Sequence, residues 1–151
     1  MSFLNEKAIL FEKKSKSRTY IILDVDELEK GYFKIVGYFT IALKVLKIPL
    51  KLSKTKTKKI DGVYKNIETI PTYLIGQLAK NDEYKSKISG SVILEYAELI
   101  IKESFKIVGG RIILIESTRD KKLIEFYEKE DYKLLIDDEN DELIQWIKFL
   151  V

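Results

Sequence analysis

The chain has 151 residues, enough for one domain with a full core and too few for two ordinary ones. With 46% hydrophobic residues, 11% aromatics, seven Gly and two Pro it can bury enough apolar surface to offset chain entropy, which excludes a disordered polypeptide. A net charge of +3 on 27 cations and 24 anions gives little global attraction to polyanions; the absence of Cys and His excludes disulfides, thiolate zinc sites, cysteine nucleophiles and imidazole bases.

Residues 2 to 16 carry Phe3, Leu4, Ala8, Ile9, Leu10 and Phe11 among Lys and Glu, and this spread predicts one opening helix that Ser15, Lys16 and Ser17 end. Thr19 to Val25 reads as a strand, Asp26 to Gly31 as an acidic turn, and Phe33 to Leu43 as a second, longer strand, making a hairpin. From Lys44 to Lys65 there are eight Lys and one Asp. This basic stretch is either a solvated loop or short helix in a chain with 24 Lys against three Arg, or an arm that tracks phosphates.

Pro71 leads into a strand at Thr72 to Ala79, where Gly76 suggests a bulge or a close backbone approach. Ile93, Tyr96, Ala97, Ile100 and Ile101 fall on one face of a helix over 90 to 105, with Glu98 and Lys102 expected on its exposed side. Val108-Gly109-Gly110 closes that helix, and Arg111 to Ile115 reads as a strand buried on both faces, so strand, helix and strand imply a parallel crossover. Asp120 is placed as the N-cap of a helix running to Lys129, with Leu123, Phe126 and Tyr127 on one side. Strands at Tyr132 to Ile136 and Leu143 to Leu150 follow, separated by the acidic turn Asp137 to Glu142.

Any chemistry has to rest on Tyr, Ser, Lys, Asp, Glu, backbone amides or a cosubstrate that brings its own reactive atom. The segment from Leu78, Ala79 and Lys80 through Lys85, Ser86, Lys87, Ile88, Ser89, Gly90 and Ser91 joins a strand end to a helix start, where free amides and a positive dipole end suit a diphosphate. Plain capping explains the same serines. Tyr127, at the end of a short helix, is either a core tyrosine or a proton donor to a thiolate, whose conjugate thiol has a pKa of about 8.5. The carboxylate groups at Asp24, Asp26 and Glu27 and at Asp137 to Glu142 lack the alternating ligands and sixth-position Gly of a calcium loop and read as turns, with no metal expected.

These two segments resemble the GNAT family of acetyl-CoA-dependent N-acetyltransferases, over about positions 18 to 136. Lys85-Ser86-Lys87-Ile88-Ser89-Gly90 stands where the family reads Q/R-x-x-G-x-G/A, and Asp120-x-x-Leu123-x-x-Phe126-Tyr127-x-x-x-Asp131-Tyr132 is similar to Asn-x-x-Ala-x-x-Phe/Leu-Tyr-x-x-x-Gly-Phe. The resemblance implies a single α+β domain over 1–151: a mixed, mostly antiparallel sheet with a parallel central crossover and a shortened amino-terminal part. It further implies acetyl-CoA as cosubstrate and no metal. The amides of Lys85 to Ser91 would hold the diphosphate, the backbone of Leu78 to Lys80 and Asp120 would lie along the pantetheine arm, and Tyr127 would be the general acid. Two departures stand out: Ile88 replaces the first motif Gly, and Asp131-Tyr132 replaces Gly-Phe.

Within the family, Gly37-Tyr38-Phe39-Thr40, Ile70-Pro71, Gln77-Leu78-Ala79 and Val108-Gly109-Gly110-Arg111 are similar to the acetyltransferase toxins of toxin-antitoxin pairs. That branch implies aminoacyl-tRNA as the amine acceptor, Lys44 to Lys65 as the tRNA contact, a cognate antitoxin as partner and a homodimer as assembly. The competing reading is a GNAT-fold binding module without catalysis. The apolar runs are too short for a membrane span, and a cytoplasmic protein is expected.

Overall fold

A computed structural model describes residues 2–84, 86–137 and 139–151. In chain order the elements are α1 (Ser2–Glu6), α2 (Ala8–Lys13), β1 (Arg18–Leu23), α3 (Val25–Glu29), β2 (Ile35–Lys47), α4 (Lys54–Asp61), β3 (Thr69–Lys80), a 3-10 turn (Asp82–Tyr84), α5 (Gly90–Val108), β4 (Ile112–Ser117), α6 (Lys121–Lys129), β5 (Lys133–Leu134) and β6 (Ile144–Phe149). The six strands form one sheet in the order β1-β2-β3-β4-β6-β5, mostly antiparallel with one parallel pair. This is the mixed α+β arrangement of a GNAT-like topology.

The chain divides into two compact units, Met1–Ala42 with Ile75–Ile101, and Leu43–Leu74 with Lys102–Val151. In the first, β1 and β2 pair antiparallel from Arg18↔Ile41 to Ile22↔Gly37, then slip by a residue before Leu23. Its core is made of Val36, Phe39, Ile75, Ile93, Leu94, Ala97 and Ile101, with Tyr20 stacked on Phe39 at 5.0 Å. In the second unit Leu46, Ile60, Ile70, Ile112, Leu114, Leu135 and Ile147 form one cluster, each contributing roughly 1.5–3 kcal/mol by leaving water. There β6 pairs antiparallel with β4 from Ile112↔Phe149 to Ser117↔Ile144 and carries the two-residue β5 on its other edge.

Several expectations are corrected. The opening helix is divided into two short ones at Lys7, whose φ of −119° is far from the ideal value although its amide and carbonyl still bond Phe3 O and the Phe11 amide. The acidic turn after Asp24 is the helix α3: Asp24 accepts from the amides of Asp26 and Glu27, and Gly31 at φ +86° ends the segment. The Lys-rich connection takes the short-helix alternative: it contains α4, capped by Ser53 and closed by Gly62 at φ +95°. On α5 Ile93, Ala97 and Ile101 are buried as predicted, but the face is completed by Leu94 and Glu98, so Glu98 is inside and Tyr96 is exposed, opposite to what was expected of those two. The strand expected at Tyr132 to Ile136 shrinks to Lys133–Leu134.

Candidate functional site

The predicted site residues fall in both units. Leu78, Ala79, Lys80 and Ser86 to Ser91 belong to the first, Asp120 and Tyr127 to the second, and Lys85 lies outside the described residues.

In the first unit the end of β3 is fixed by Asn81. Its backbone amide donates to Val36 O at 2.9 Å and its side-chain Nδ2 to Ile35 O at 2.9 Å, so the strand is still tied to β2 where it leaves the sheet. Gly37 is required at that place. A Cβ there would press on Ala79 O at 3.1 Å and meet the end of the Ile93 side chain at 2.7 Å, so both would have to give way. The segment then turns on its own hydrogen bonds: Asn81 Oδ1 accepts from the Glu83 amide, and the Lys87 amide donates to Tyr84 O at 2.9 Å.

Ser89 is the N-cap of α5, its Oγ accepting from the Val92 amide at 3.2 Å. One of the predicted diphosphate donors is therefore a helix cap, and the Lys87 amide is likewise committed. The amides of Ile88, Ser89 and Gly90 make no hydrogen bond to a described residue, so three successive donors stand at the positive end of a 19-residue helix. A cleft of about 450 Å³ opens here, lined by Ser86, Lys87, Ile88 and Ser89 and also by Val36, Tyr96, Asp24 and Asp26. These donors fit a diphosphate; the two carboxylates oppose it. Asp24 spends one oxygen on the α3 cap and faces Lys87 Nζ at 3.7 Å with the other. Nearby, hydrogen bonds from Lys34 and Lys30 hold the Glu27 carboxyl below its usual range, and Glu27 in turn raises Lys34.

In the second unit Asp120 is the N-cap of α6, as predicted, accepting from the amides of Lys122 and Leu123 at 2.8 and 3.4 Å. Tyr127 is 6% exposed, while Phe126 is only partly buried and Leu123 is exposed, so the tyrosine is the residue this helix commits to the core. Its ring meets Phe126 at 5.1 Å and Tyr132 and Trp146 at 5.9 Å each. Trp146 is fixed by a bond from Nε1 to Ser117 Oγ at 2.9 Å. Burial pushes the Tyr127 phenol above its ordinary value, and its hydroxyl makes no hydrogen bond among the described residues. Asp131, where the family pattern has Gly, adopts φ +66°, the left-handed conformation that glycine favours, and it delivers Tyr132 into the core.

Asp24, Asn81 and Tyr96 were not singled out from the sequence as site residues. The Asp24-x-x-Glu27 spacing of a helix start was a usable signal for the first; nothing local marked the others. Among the described residues no group of three acidic, His or Cys side chains is placed to hold a metal ion, and no helix is long and apolar enough to cross a membrane.

No family model matches the sequence, and no curated protein does. Solved structures do share the fold. AtaT complexed with acetyl-methionyl-tRNAfMet superposes with a TM-score of 0.76 at 19% identity, over 97% of this chain and 79% of that one. A tyrosine-to-phenylalanine mutant of KacT gives 0.74 at 20%, over 97% and 79%. A mutant AtaT toxin bound to the C-terminus of the antitoxin AtaR and acetyl-CoA gives 0.68 at 16%, over 96% and 76%. The chain thus has the fold of the GNAT-type acetyltransferase toxins AtaT and KacT.

Proposed function

We propose that this protein is an acetyl-CoA-dependent N-acetyltransferase of the toxin type, whose acceptor is the amino group of an aminoacyl-tRNA. The observation that carries the reading is the run of amides at Ile88, Ser89 and Gly90, beside Lys87, at the start of α5. The fold shared with AtaT in its acetyl-methionyl-tRNA complex supports the choice of acceptor.

Acetyl-CoA supplies an activated thioester carbonyl that a neutral amine attacks directly, so a chain without Cys or His lacks nothing essential. The diphosphate is assigned to the amides of Ile88 to Gly90 with Ser86, Lys87 and Ser91 around them, and the pantetheine arm to the backbone of Leu78, Ala79 and Lys80; the family resemblance assigns Asp120 to the same arm. A backbone amide of β3 takes the charge that develops on the carbonyl oxygen. Tyr127 donates toward the departing sulfur. Its phenol, raised above 10.0 by burial, stays protonated at neutral pH. A thiol is the stronger acid at about 8.5, so the phenol acts as a hydrogen-bond donor to developing thiolate charge and solvent completes the transfer. A cognate antitoxin and a second copy of the chain are the partners this reading expects, in a cytoplasmic setting.

The test mixes the protein with acetyl-CoA and a pool of charged tRNAs and follows acetyl transfer to the amino group. Tyr127→Phe is expected to lower kcat about a hundredfold while leaving coenzyme affinity unchanged. Undiminished turnover in that variant removes Tyr127 from the acid role. The carboxylates of Asp24 and Asp26 in the same cleft favour a second reading, a GNAT-fold module that binds without catalysis. Coenzyme binding with no transfer to any charged tRNA selects it; natively folded protein that ignores millimolar acetyl-CoA ends both.

A further inference from the structure

A second charged cleft, of about 640 Å³, lies wholly within the second unit. It is lined by Lys54, Lys58, Lys59, Lys65 and Arg111, with no carboxylate among its lining residues. Lysines alone would say little in a chain with 24 of them. Arg111 is different, because only three arginines are present. Arg18 pairs with Glu12 and Arg119 with Asp137, whereas Arg111 pairs with no acid among the described residues.

Arg111 reaches the cleft from the strand side, about fifty positions along the chain from α4. Its Nε donates to Ile60 O at 3.2 Å, which fixes the plane of the guanidinium against the last turn of the helix. Its terminal nitrogens make no hydrogen bond to a described residue. Gly62 leaves the room for it: a Cβ at that position would stand 2.7 Å from the guanidinium carbon. Asp61, next to Gly62 in the chain, does not line the cleft, and its Oδ2 accepts from the amides of Val63 and Tyr64. A guanidinium held in place with its fork unused, among ammonium groups that make no ion pair to a described residue, matches the bidentate demand of a phosphate. Lys54 and Lys58 lie one turn apart on the same side of α4, so the positive charge extends along a line and suits a chain of phosphates better than a single one.

We infer that this cleft is the RNA-docking face of the protein, in which Arg111 grips one backbone phosphate and Lys54, Lys58 and Lys65 follow the strand. The inference rests on the aminoacyl-tRNA reading for the identity of the RNA, and on the cleft alone for its location.

Binding of labelled, deacylated bulk tRNA, followed by fluorescence anisotropy across a salt series, tests it apart from catalysis. The triple variant Lys54→Gln, Lys58→Gln, Lys65→Gln leaves the Arg111 bond to α4 intact; it is expected to bind at least about tenfold more weakly, with the slope of log affinity against log salt reduced by about 2. Arg111→Lys keeps the charge and loses the fork, and about a threefold loss is expected. A control triple of the same net charge, Lys7→Gln, Lys13→Gln, Lys14→Gln, changes exposed residues of the first unit and is expected to stay within about twofold of the parent. If the cleft triple binds as the parent does, or the control loses as much, the proposal is overturned. If the cleft triple loses tRNA while the parent transfers acetyl to no charged tRNA, the docking face stands and the acceptor assignment falls. Retained coenzyme affinity in every variant shows that the first unit is intact.

Discussion

Asp24 serves two neighbours with opposite consequences. One oxygen holds the first turn of α3, where asparagine would cap as well; the other faces Lys87 and withdraws part of the only described lysine charge lining the cleft at the start of α5. Asp24→Asn keeps the cap and frees the ammonium group. Only the lysine end of this pair is well exposed, and at 3.7 Å the contact is long, so about 1 kcal/mol is a fair measure and calorimetric titration should show coenzyme binding tightened by about fivefold. Unchanged or weaker binding would place the anion elsewhere. At this same scale the sequence is informative where a residue type answers a local need. Asp120 as a cap could be read directly, and Asp131 in place of Gly kept a turn that tolerates φ +66°. Tyr127 could not be divided between core and acid, because the pattern that buries a ring is the pattern that places a phenol.

At the scale of elements, α4 is the least secure part of the fold. Four of its eight residues are Lys, Lys54 and Lys58 repel one turn apart, and only Thr57 and Ile60 are buried. Its stability therefore leans on its ends, Ser53 accepting from the Lys56 amide and Gly62 closing the last turn. Ser53→Ala is expected to cost about 1 kcal/mol, read as faster hydrogen exchange confined to the amides of α4. Equal acceleration in α6 would mean that the cap supports more than its own helix. Those ends were also what a sequence reading could have used: the Lys run suggested solvation, while Ser before it and Gly after it mark a helix. On α5, Ile93, Ala97 and Ile101 were legible as core, while Glu98 and Tyr96 were exchanged for a different reason. Leu94 and Glu98 share a stripe with Ile101, and a charged residue on a buried stripe is invisible to a hydrophobic count until its surroundings are known. The short β5 was over-read because Leu134, Leu135 and Ile136 look like strand, although only Lys133 and Leu134 are in ladder register with β6 and Leu135 adds a single amide bond to Gln145 O.

For the whole molecule, the missing imidazoles set the response to pH. No side chain has an ordinary pKa between the carboxylates and the lysines and tyrosines, so folding stability is expected to be flat from about pH 6 to pH 9. Above pH 10 it declines. Burial raises the phenols of Tyr38, Tyr73 and Tyr127 above 10.0, so the unfolded chain releases these protons first and gains on the folded one as pH climbs toward the native values. Urea midpoints measured at pH 7, 9 and 11 test the shape, and a transition near neutrality would contradict it. The order and class of nearly all elements were legible, since long apolar runs and paired glycines punctuate the chain. The division into two units was not, because it depends on which half of each long strand gathers neighbours.

That division is also interleaved: the backbone leaves the first unit after Ala42, returns at Ile75 and departs again after Ile101. As the polypeptide emerges from a ribosome, the first unit has all its parts once Ile101 is clear of the exit tunnel. The other must wait for the final strand near Phe149, its early portion held open as an unfinished loop. A chain that stalls just after Ile101 has emerged therefore exposes the helix start proposed for the diphosphate while Tyr127 is still enclosed in the tunnel.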